Sequence, residues 1–524
     1  MLDARERQSV DGLGSPGQRR AAARIEPDAF RELGHTLVDR LADFMAGLPD
    51  RSVKPKQSAH DIRQWLSGAA FPERASPAAE VLSQACDMLS EHAVSTSHPR
   101  FWAYVMGAAS PMGALADFLA SAISAPATSF GTSGLTVAME AQTIEWMARL
   151  IGYPADCGGL FVSGGSIGNL VALRLALQSA LGPKARTDGL SGEYPASICL
   201  YATADAHSSI DAAAQICGLG TSRIRRIDVD EHGRMKPDHL QQSIGADRAA
   251  GKRPVMVVAT AGTTSLGAVD PLIDIARICR SENVWFHVDG AYGGLAAVSP
   301  EAPDDMHGLR EADSVTIDPH KWMYMPADVG CVLTRDPGLL FDTFREGAPY
   351  YAENDEQRLL GGPERLQFRD LGPQTTRAFR ALKVRLGLQL VGRSGYRQMI
   401  TDDILLARAL YERADQHEEL DALTQHLSIT TFRFRPAGMS SGTKDVETRL
   451  EKLNRHILSQ LHADGIAYPS HTTIAGKFAL RVCIVNFNTT LVDIEELVRH
   501  VVRIGRAAML SGAGWADTDL VPAS

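Results

Sequence analysis

Lys321 sits in the stretch Ser314-Val-Thr-Ile-Asp-Pro-His-Lys-Trp-Met-Tyr324. The apolar run from Val315 to Ile317 reads as the end of a buried strand. Asp318-Pro319 stops it, because proline offers no N–H to a ladder and restricts the residue before it. His320 and Lys321 therefore fall just past a strand end, where open α/β sheets place their ligand crevice. An apolar strand before the lysine and Trp322, Met323 and Tyr324 after it make a poor surface, and a desolvated amine is a usable nucleophile toward an aldehyde. Upstream, Val284-Trp-Phe-His-Val-Asp289-Gly-Ala-Tyr-Gly-Gly294 delivers a carboxylate in the same way. An amine and an acid at neighbouring strand ends match the needs of pyridoxal phosphate: a Schiff base at the amine and a carboxylate on the ring nitrogen. Ala291 is small enough for an aromatic ring to lie against it.

Three more strand ends carry polar groups. Ser163-Gly-Gly-Ser-Ile-Gly-Asn169 lies between an apolar run and a helical stretch, and N–H groups at a helix start with a serine hydroxyl make an anion site. Thr260-Ala-Gly-Thr-Thr264 and Asp205-Ala-His-Ser-Ser209 follow two further runs. There is no complete G-x-G-x-x-G and no G-K-[ST] ending, which argues against a dinucleotide or a P-loop.

The elements that must position these groups form a simple pattern. From about residue 98 to 340, short β-branched runs alternate with helical stretches: 160–162, 197–202, 224–229, 255–260, 284–288, 314–317 and 331–334. Such alternation predicts an α/β body with a mainly parallel sheet. Ahead of it, Phe30, Leu33, Leu37, Leu41, Phe44, Met45 and Leu48 recur at helical spacing up to Pro49-Asp50, and residues 77–94 read as a second helix. Residues 343–373 break the pattern and read as a lid or active-site loop. Strands at 429–434 and 480–487, and a helix opened by a capping box at Asp493–Glu496, predict a small α+β domain.

The chain has 524 residues, a net charge of −9 and 44% apolar residues. That composition fits a globular protein and gives no footprint for nucleic acid or an anionic membrane. No apolar run is long enough to span a bilayer, and the N-terminus lacks the apolar region of a secretory signal. Seven dispersed cysteines without a C-x-x-C pair point to a reducing compartment, with neither a disulfide frame nor a zinc site. A cytoplasmic enzyme is expected.

Taken in order, Ser-Gly-Gly-Ser, Ala-His-Ser-Ser, Ala-Thr-Ala-Gly-Thr-Thr, His-Val-Asp-x-Ala-Tyr-Gly-Gly and Ala-Asp-Ser-x-Thr-x-Asp-Pro-His-Lys-Trp resemble the group II pyridoxal-phosphate-dependent amino acid decarboxylases, above all their aromatic-L-amino-acid decarboxylase branch. The resemblance covers roughly residues 27–508. It implies a fold-type I enzyme and an obligate homodimer. Its parts would be tails at 1–24 and 511–524, a dimer-wrapping helical segment at 25–105, a large cofactor domain at 106–400 and a small domain at 401–510. Carried over by motif, Lys321 would form the Schiff base, Asp289 would bind the ring nitrogen, Ala291 would back the ring and His207 would stack on it. Gly165, Ser166, Ser314 and His320 would hold the phosphate, with Thr264 on the Asp289 side. Phe101, Trp102 and Tyr104 would line a pocket for an aromatic substrate, which would lose CO₂ to give an amine.

Two positions depart from the family pattern. Gly290 replaces a usual alanine. Phe368 falls where animal and plant members carry a loop tyrosine that returns the proton; a phenyl ring has none to give. Loss of that hydroxyl in plant and insect relatives diverts the reaction to an aldehyde with ammonia and peroxide, which is the alternative here. Tyr350, Tyr351 and His207 are the other candidate donors.

Overall fold

The computed structural model describes residues 23–190, 194–345, 366–439 and 442–511. It forms two units. One holds the helices between residues 23 and 94 without residues 52–54; the other holds residues 52–54 and everything from residue 95 onward.

Among its described residues the first unit has three α-helices: α1 (Pro27–Gly47), α2 (Ala59–Ser67) and α3 (Ala78–His92). α1 starts with proline at its first position, where the missing N–H costs nothing. α2 was not expected, because the segment around it is polar. Its signal is the spacing Ser58-x-x-Asp61: the Asp61 N–H donates to the Ser58 hydroxyl, and the Ser58 N–H donates to the Asp61 carboxylate. α1 and α3 are joined by Arg40, which donates to the Ser83 hydroxyl at 3.0 Å and pairs with Asp87. None of the three helices buries a residue, and Phe30, Leu41, Met45, Val81, Met88 and Leu89 are exposed.

The second unit is built on two sheets. A strand of two residues, β1 (Phe101–Trp102), precedes the main sheet. That sheet comprises β2 (Gly158–Val162), β3 (Ile198–Thr203), β4 (Ile224–Ile227), β5 (Arg253–Thr260), β6 (Trp285–Asp289), β7 (Ser314–Ile317) and β8 (Gly330–Thr334). Their order is β2-β8-β7-β6-β5-β3-β4. β8 runs antiparallel to both neighbours, and the other pairs are parallel. β3, β7 and β8 are buried at every position. That is why these strands read as unbroken apolar runs and were visible in the sequence.

The second sheet adds β9 (Leu420–His426), β10 (Ile429–Phe434), β11 (Tyr468–Ile474) and β12 (Lys477–Cys483), in the order β1-β11-β12-β10-β9. The second unit's helices include α4 (Phe130–Ile151), α5 (Gly165–Leu181), α6 (Ser209–Ile216), α7 (Ala381–Asp415), α8 (Lys444–Ala463) and α9 (Leu491–Ser511). The boundary expected at residue 400 falls inside α7. Its first part puts Tyr396, Ile400 and Ile404 into the core of the main sheet, and its second part puts Ala407, Leu410 and Ala414 into the core of the small one. The helical spacing of Ile494, Leu497, Val498, Val501 and Val502 predicts one apolar face for α9; four of them are buried and Val498 is half-buried. Its capping residue is Thr490, not Asp493: the Thr490 N–H and hydroxyl both donate to the Asp493 carboxylate.

One buried ion pair ties β2 to the helices. Arg377 and Glu140 are 2% and 0% exposed, with a shortest N···O distance of 2.5 Å. Arg377 also donates to the carbonyls of Phe161 at 2.7 Å and Ala127 at 2.9 Å, and the Phe161 N–H donates to Glu140. Removing one partner leaves an uncompensated buried charge. Arg377→Met should therefore lower the unfolding free energy by about 3–5 kcal/mol. Arg377→Met with Glu140→Gln should lose less than the single variant, as read from urea midpoints.

Candidate active site

Lys321 lies on the turn of helix Pro319–Trp322 that follows β7. Its Nζ is 3.0 Å from Asp318 Oδ2, and its side chain is 19% exposed. Asp318 is 2% exposed, and its Oδ1 is buried without a hydrogen-bond partner. The Asp318 N–H donates to the Ala291 carbonyl at 3.1 Å, which fixes the β7 end beside the β6 end. The space between them is tight. A Cβ on Gly165 would stand 2.9 Å from Asp318 Oδ2 and 3.0 Å from the Ala291 methyl. Gly165 opens α5, whose first in-helix bond is the Ile167 N–H to the Gly164 carbonyl. The N–H groups of Gly165 and Ser166 come before it and can serve an anion. His320 donates from Nδ1 to the Val329 carbonyl at 2.6 Å, which turns its other ring edge toward Gly164.

Asp289 ends β6 and is 6% exposed. The Ala291 N–H donates to its Oδ1 at 3.1 Å, and Asn169 Nδ2 donates to its Oδ2 at 2.9 Å. Lone pairs remain on both oxygens for a further donor. His207 precedes α6, and its Nδ1 accepts from the Ser209 N–H at 3.2 Å and lies 2.8 Å from the Ser209 hydroxyl. Arg481 of β12 joins two of the expected site residues. It donates to the carbonyls of Tyr104 at 2.8 Å, Thr264 at 2.6 Å and Ser265 at 3.1 Å. It is 3% exposed, and all the hydrogen bonds found for it among the described residues go to neutral oxygens. Tyr104 itself is 49% exposed with a φ of 58°.

Four expected site residues lie elsewhere. Ser314 is at the start of β7, at the wrong end of the strand for the phosphate; Trp285 Nε1 donates to its hydroxyl, which lies 2.8 Å from His287 Nδ1. Phe101 and Trp102 form β1, which pairs with β11 and is 4% and 1% exposed. Phe101 stacks on Tyr468, and Trp102 Nε1 donates to Thr489, so both are core residues of the small sheet and not pocket walls. Phe368 is 1% exposed, with the Arg377 guanidinium 4.9 Å from its ring centre. It is a core residue, so its missing hydroxyl says nothing about proton return. The rest of the expected loop, with Tyr350 and Tyr351, lies outside the described residues.

The sequence reading also missed groups that the fold brings in. Asn169 and Ser209 stood in the motifs without a role. Arg481 was visible only as a lone cation in an apolar run. Asp403, on α7, accepts from Trp322 Nε1 and Tyr324 Oη, both at 2.8 Å, and so anchors the residues just after Lys321. Trp322 in turn stacks on Tyr292, with ring centres 4.9 Å apart. Burial pushes the Asp403 carboxyl up to about 7, against the pull of these two donors and of the Asn486 backbone N–H.

An amine, a carboxylate with spare lone pairs, a small methyl and a glycine-opened helix start thus meet at adjoining strand ends. This donor set fits pyridoxal phosphate. The fold and the site define a fold-type I pyridoxal-phosphate enzyme. The family model described as the pyridoxal-dependent decarboxylase conserved domain matches residues 60–435. The aromatic-L-amino-acid decarboxylase of Bacillus atrophaeus is 32% identical over 93% of this chain and 98% of its own. A phenylacetaldehyde synthase of Arabidopsis thaliana is 26% identical over 88% of this chain and 92% of its own. Among solved structures, Oryza sativa TDC with PLP and tryptamine superposes with a TM-score of 0.85 at 24% identity, covering 93% of this chain and 100% of that one. The chain belongs to the pyridoxal-dependent decarboxylase family and is a carboxy-lyase that uses pyridoxal phosphate. No helix among the described residues is long and apolar enough to cross a membrane.

The raised Asp403 carboxyl sets a pH dependence. The folded protein binds this proton more tightly than the unfolded chain does, so stability falls as pH rises from about 4 to about 7 and then levels. Asp403→Asn stays neutral and still accepts both bonds. In thermal melts its stability should match the parent near pH 4 and exceed it at pH 8, by at most about 4 kcal/mol.

Proposed function

We propose that the protein decarboxylates L-amino acids with aromatic side chains, releasing the amine and CO₂. The observation that carries this is the meeting of Lys321 and Asp289 at neighbouring strand ends, backed by Gly165 and Ala291. Pyridoxal phosphate, when bound, supplies an electron sink for the pair left at Cα by departing CO₂. Lys321 would supply the amine that anchors the cofactor, and Asp289 the carboxylate that would keep its ring nitrogen protonated. Ala291 and His207 would hold the ring between them, Gly165, Ser166 and His320 would hold the phosphate, and Thr264 would stand near Asp289. Tyr104, half-exposed and held through its carbonyl by Arg481, meets the aromatic side chain. The relative from Bacillus atrophaeus supports the aromatic choice.

The aldehyde-forming reading keeps the support of the phenylacetaldehyde synthase relatives, but it no longer has Phe368 behind it. Purified protein incubated with tryptophan, tyrosine, phenylalanine and DOPA separates the two. Amine and CO₂ should appear in equal yield without peroxide, and Lys321→Ala should release no CO₂. Aldehyde and peroxide matching the CO₂ would replace this reading with the other, and turnover by Lys321→Ala would remove both.

The working form is a homodimer in the cytoplasm, in which the helices α1, α2 and α3 of the segment 25–105 pack on the second copy and residues 106–400 and 401–510 act as large and small domains. The exposed apolar residues of α1 and α3 support the dimer, since a soluble monomer seldom leaves such a stripe to water. Seven free cysteines support a reducing compartment. Sedimentation should show a dimer for the parent. Leu41→Glu with Leu89→Glu should shift it toward monomer and cut activity at least about tenfold, since burying an unpaired charge in an interface costs several kcal/mol.

A further inference from the structure

Behind Asp289 lies a buried row of polar groups that none of the roles above uses. Asn169, His287 and Ser314 are 1%, 0% and 0% exposed. Asn169 Nδ2 lies 2.9 Å from Asp289 Oδ2 and 2.8 Å from Ser209 Oγ, while Asn169 Oδ1 lies 3.0 Å from His287 Nε2. His287 Nδ1 is 2.8 Å from Ser314 Oγ, and Trp285 Nε1 is 2.9 Å from that same oxygen.

The carboxylate sets the direction of the row. The Asp289 carboxylate accepts and cannot donate, so the amide must turn its NH₂ toward it. The Asn169 oxygen then faces His287 Nε2, which must carry a proton. Burial holds the His287 imidazole neutral, down to about 4, against the pull of the Asp289 charge. His287 Nδ1 lies 2.8 Å from the Ser314 hydroxyl and 3.1 Å from the Ser314 carbonyl, and the Trp285 N–H donates to that hydroxyl. The second Asn169 N–H goes to Ser209 Oγ, which leaves the Ser209 proton for His207 Nδ1. One amide therefore joins the carboxylate under the ring nitrogen to the turn that carries His207. With the opposite amide orientation an oxygen would face the carboxylate and a donor would be lost from a buried charge.

We propose that Asn169 is a positioning residue for Asp289, and that His287, backed by Ser314 and Trp285, fixes the direction of its amide so that the carboxylate is held ready for the cofactor's ring nitrogen. This rests on the reading of Asp289 as the ring's partner. The test titrates full-length protein with pyridoxal phosphate and follows the dissociation constant, the pH profile of the bound cofactor's visible absorbance, and the melting temperature. Asn169→Leu should weaken cofactor binding ~10-fold or more, the usual scale for a bond to a charged group, and should move the absorbance profile along the pH axis. Combined with Asp289→Asn, it should add little further loss. His287→Leu should weaken binding similarly. His287→Gln, which keeps a donor toward Asn169, should stay within about twofold of the parent.

A lowered melting point with unchanged affinity and spectrum would overturn the proposal and leave Asn169 a packing residue. Multiplying losses in the double variant, or equal losses in His287→Leu and His287→Gln, would overturn it as well. If Asn169→Leu does not fold, the two His287 variants decide alone. Failure of the underlying reading has its own signature: Asp289→Asn would then bind and colour like the parent.

Discussion

The site depends on how closely backbone passes backbone around Lys321. The α5 start runs against the β6 and β7 ends with no room for a side chain at Gly165, where a Cβ would meet both Asp318 and Ala291. A Cβ on Gly107 would run into the Lys321 carbonyl oxygen, so the chain entering the second unit is also pressed against the lysine's own backbone. Packing this close leaves no freedom to the groups at the strand ends. The Asp318 N–H must find the Ala291 carbonyl, and the Ser110 N–H the Tyr324 carbonyl. The amine, the carboxylate and the helix start are thereby placed by main-chain bonds, and the side chains need only point out of them.

Charges around this frame are arranged in depth. Close to the lysine stands Asp318, whose second oxygen is buried without a partner. At the end of β6 stands Asp289, linked through Asn169 to His287 and on to Ser314 and Trp285. Beside Tyr104 and Thr264 stands Arg481, a buried cation solvated by carbonyls instead of a carboxylate. A cation so held keeps its field, because no fixed anion cancels it and the surrounding interior screens it weakly.

The main sheet was legible because its central strands, buried on both faces, are written as largely apolar runs; β4, Ile-Arg-Arg-Ile at the sheet edge, shows only as two isoleucines around two charges. The motif residues at their carboxyl ends were legible for the same reason. Phe101 and Trp102 were misread because an aromatic pair looks the same whether it lines a pocket or fills a core. Only the pairing of β1 with β11, from the far end of the chain, decides between them. Phe368 was misread by counting along a segment of irregular structure, where spacing carries little information. Ser314 was placed by motif, but the strand direction turns it away from the phosphate. Asp403, Arg481 and Asn169 act through partners 81, 377 and 120 positions away, and no local pattern announces such a contact.

Helix α7 belongs to two cores at once, filling the main-sheet core with Tyr396, Ile400 and Ile404 and the small-sheet core with Ala407, Leu410 and Ala414. A rod shared in this way couples their fates. Fraying either core strips one side of the helix and removes the support that keeps its other side packed, so neither half melts alone. The second unit should accordingly unfold as a single cooperative body, and a lesion in the small sheet is felt at Asp403, one helical turn before Ala407, and through it at the tryptophan beside Lys321.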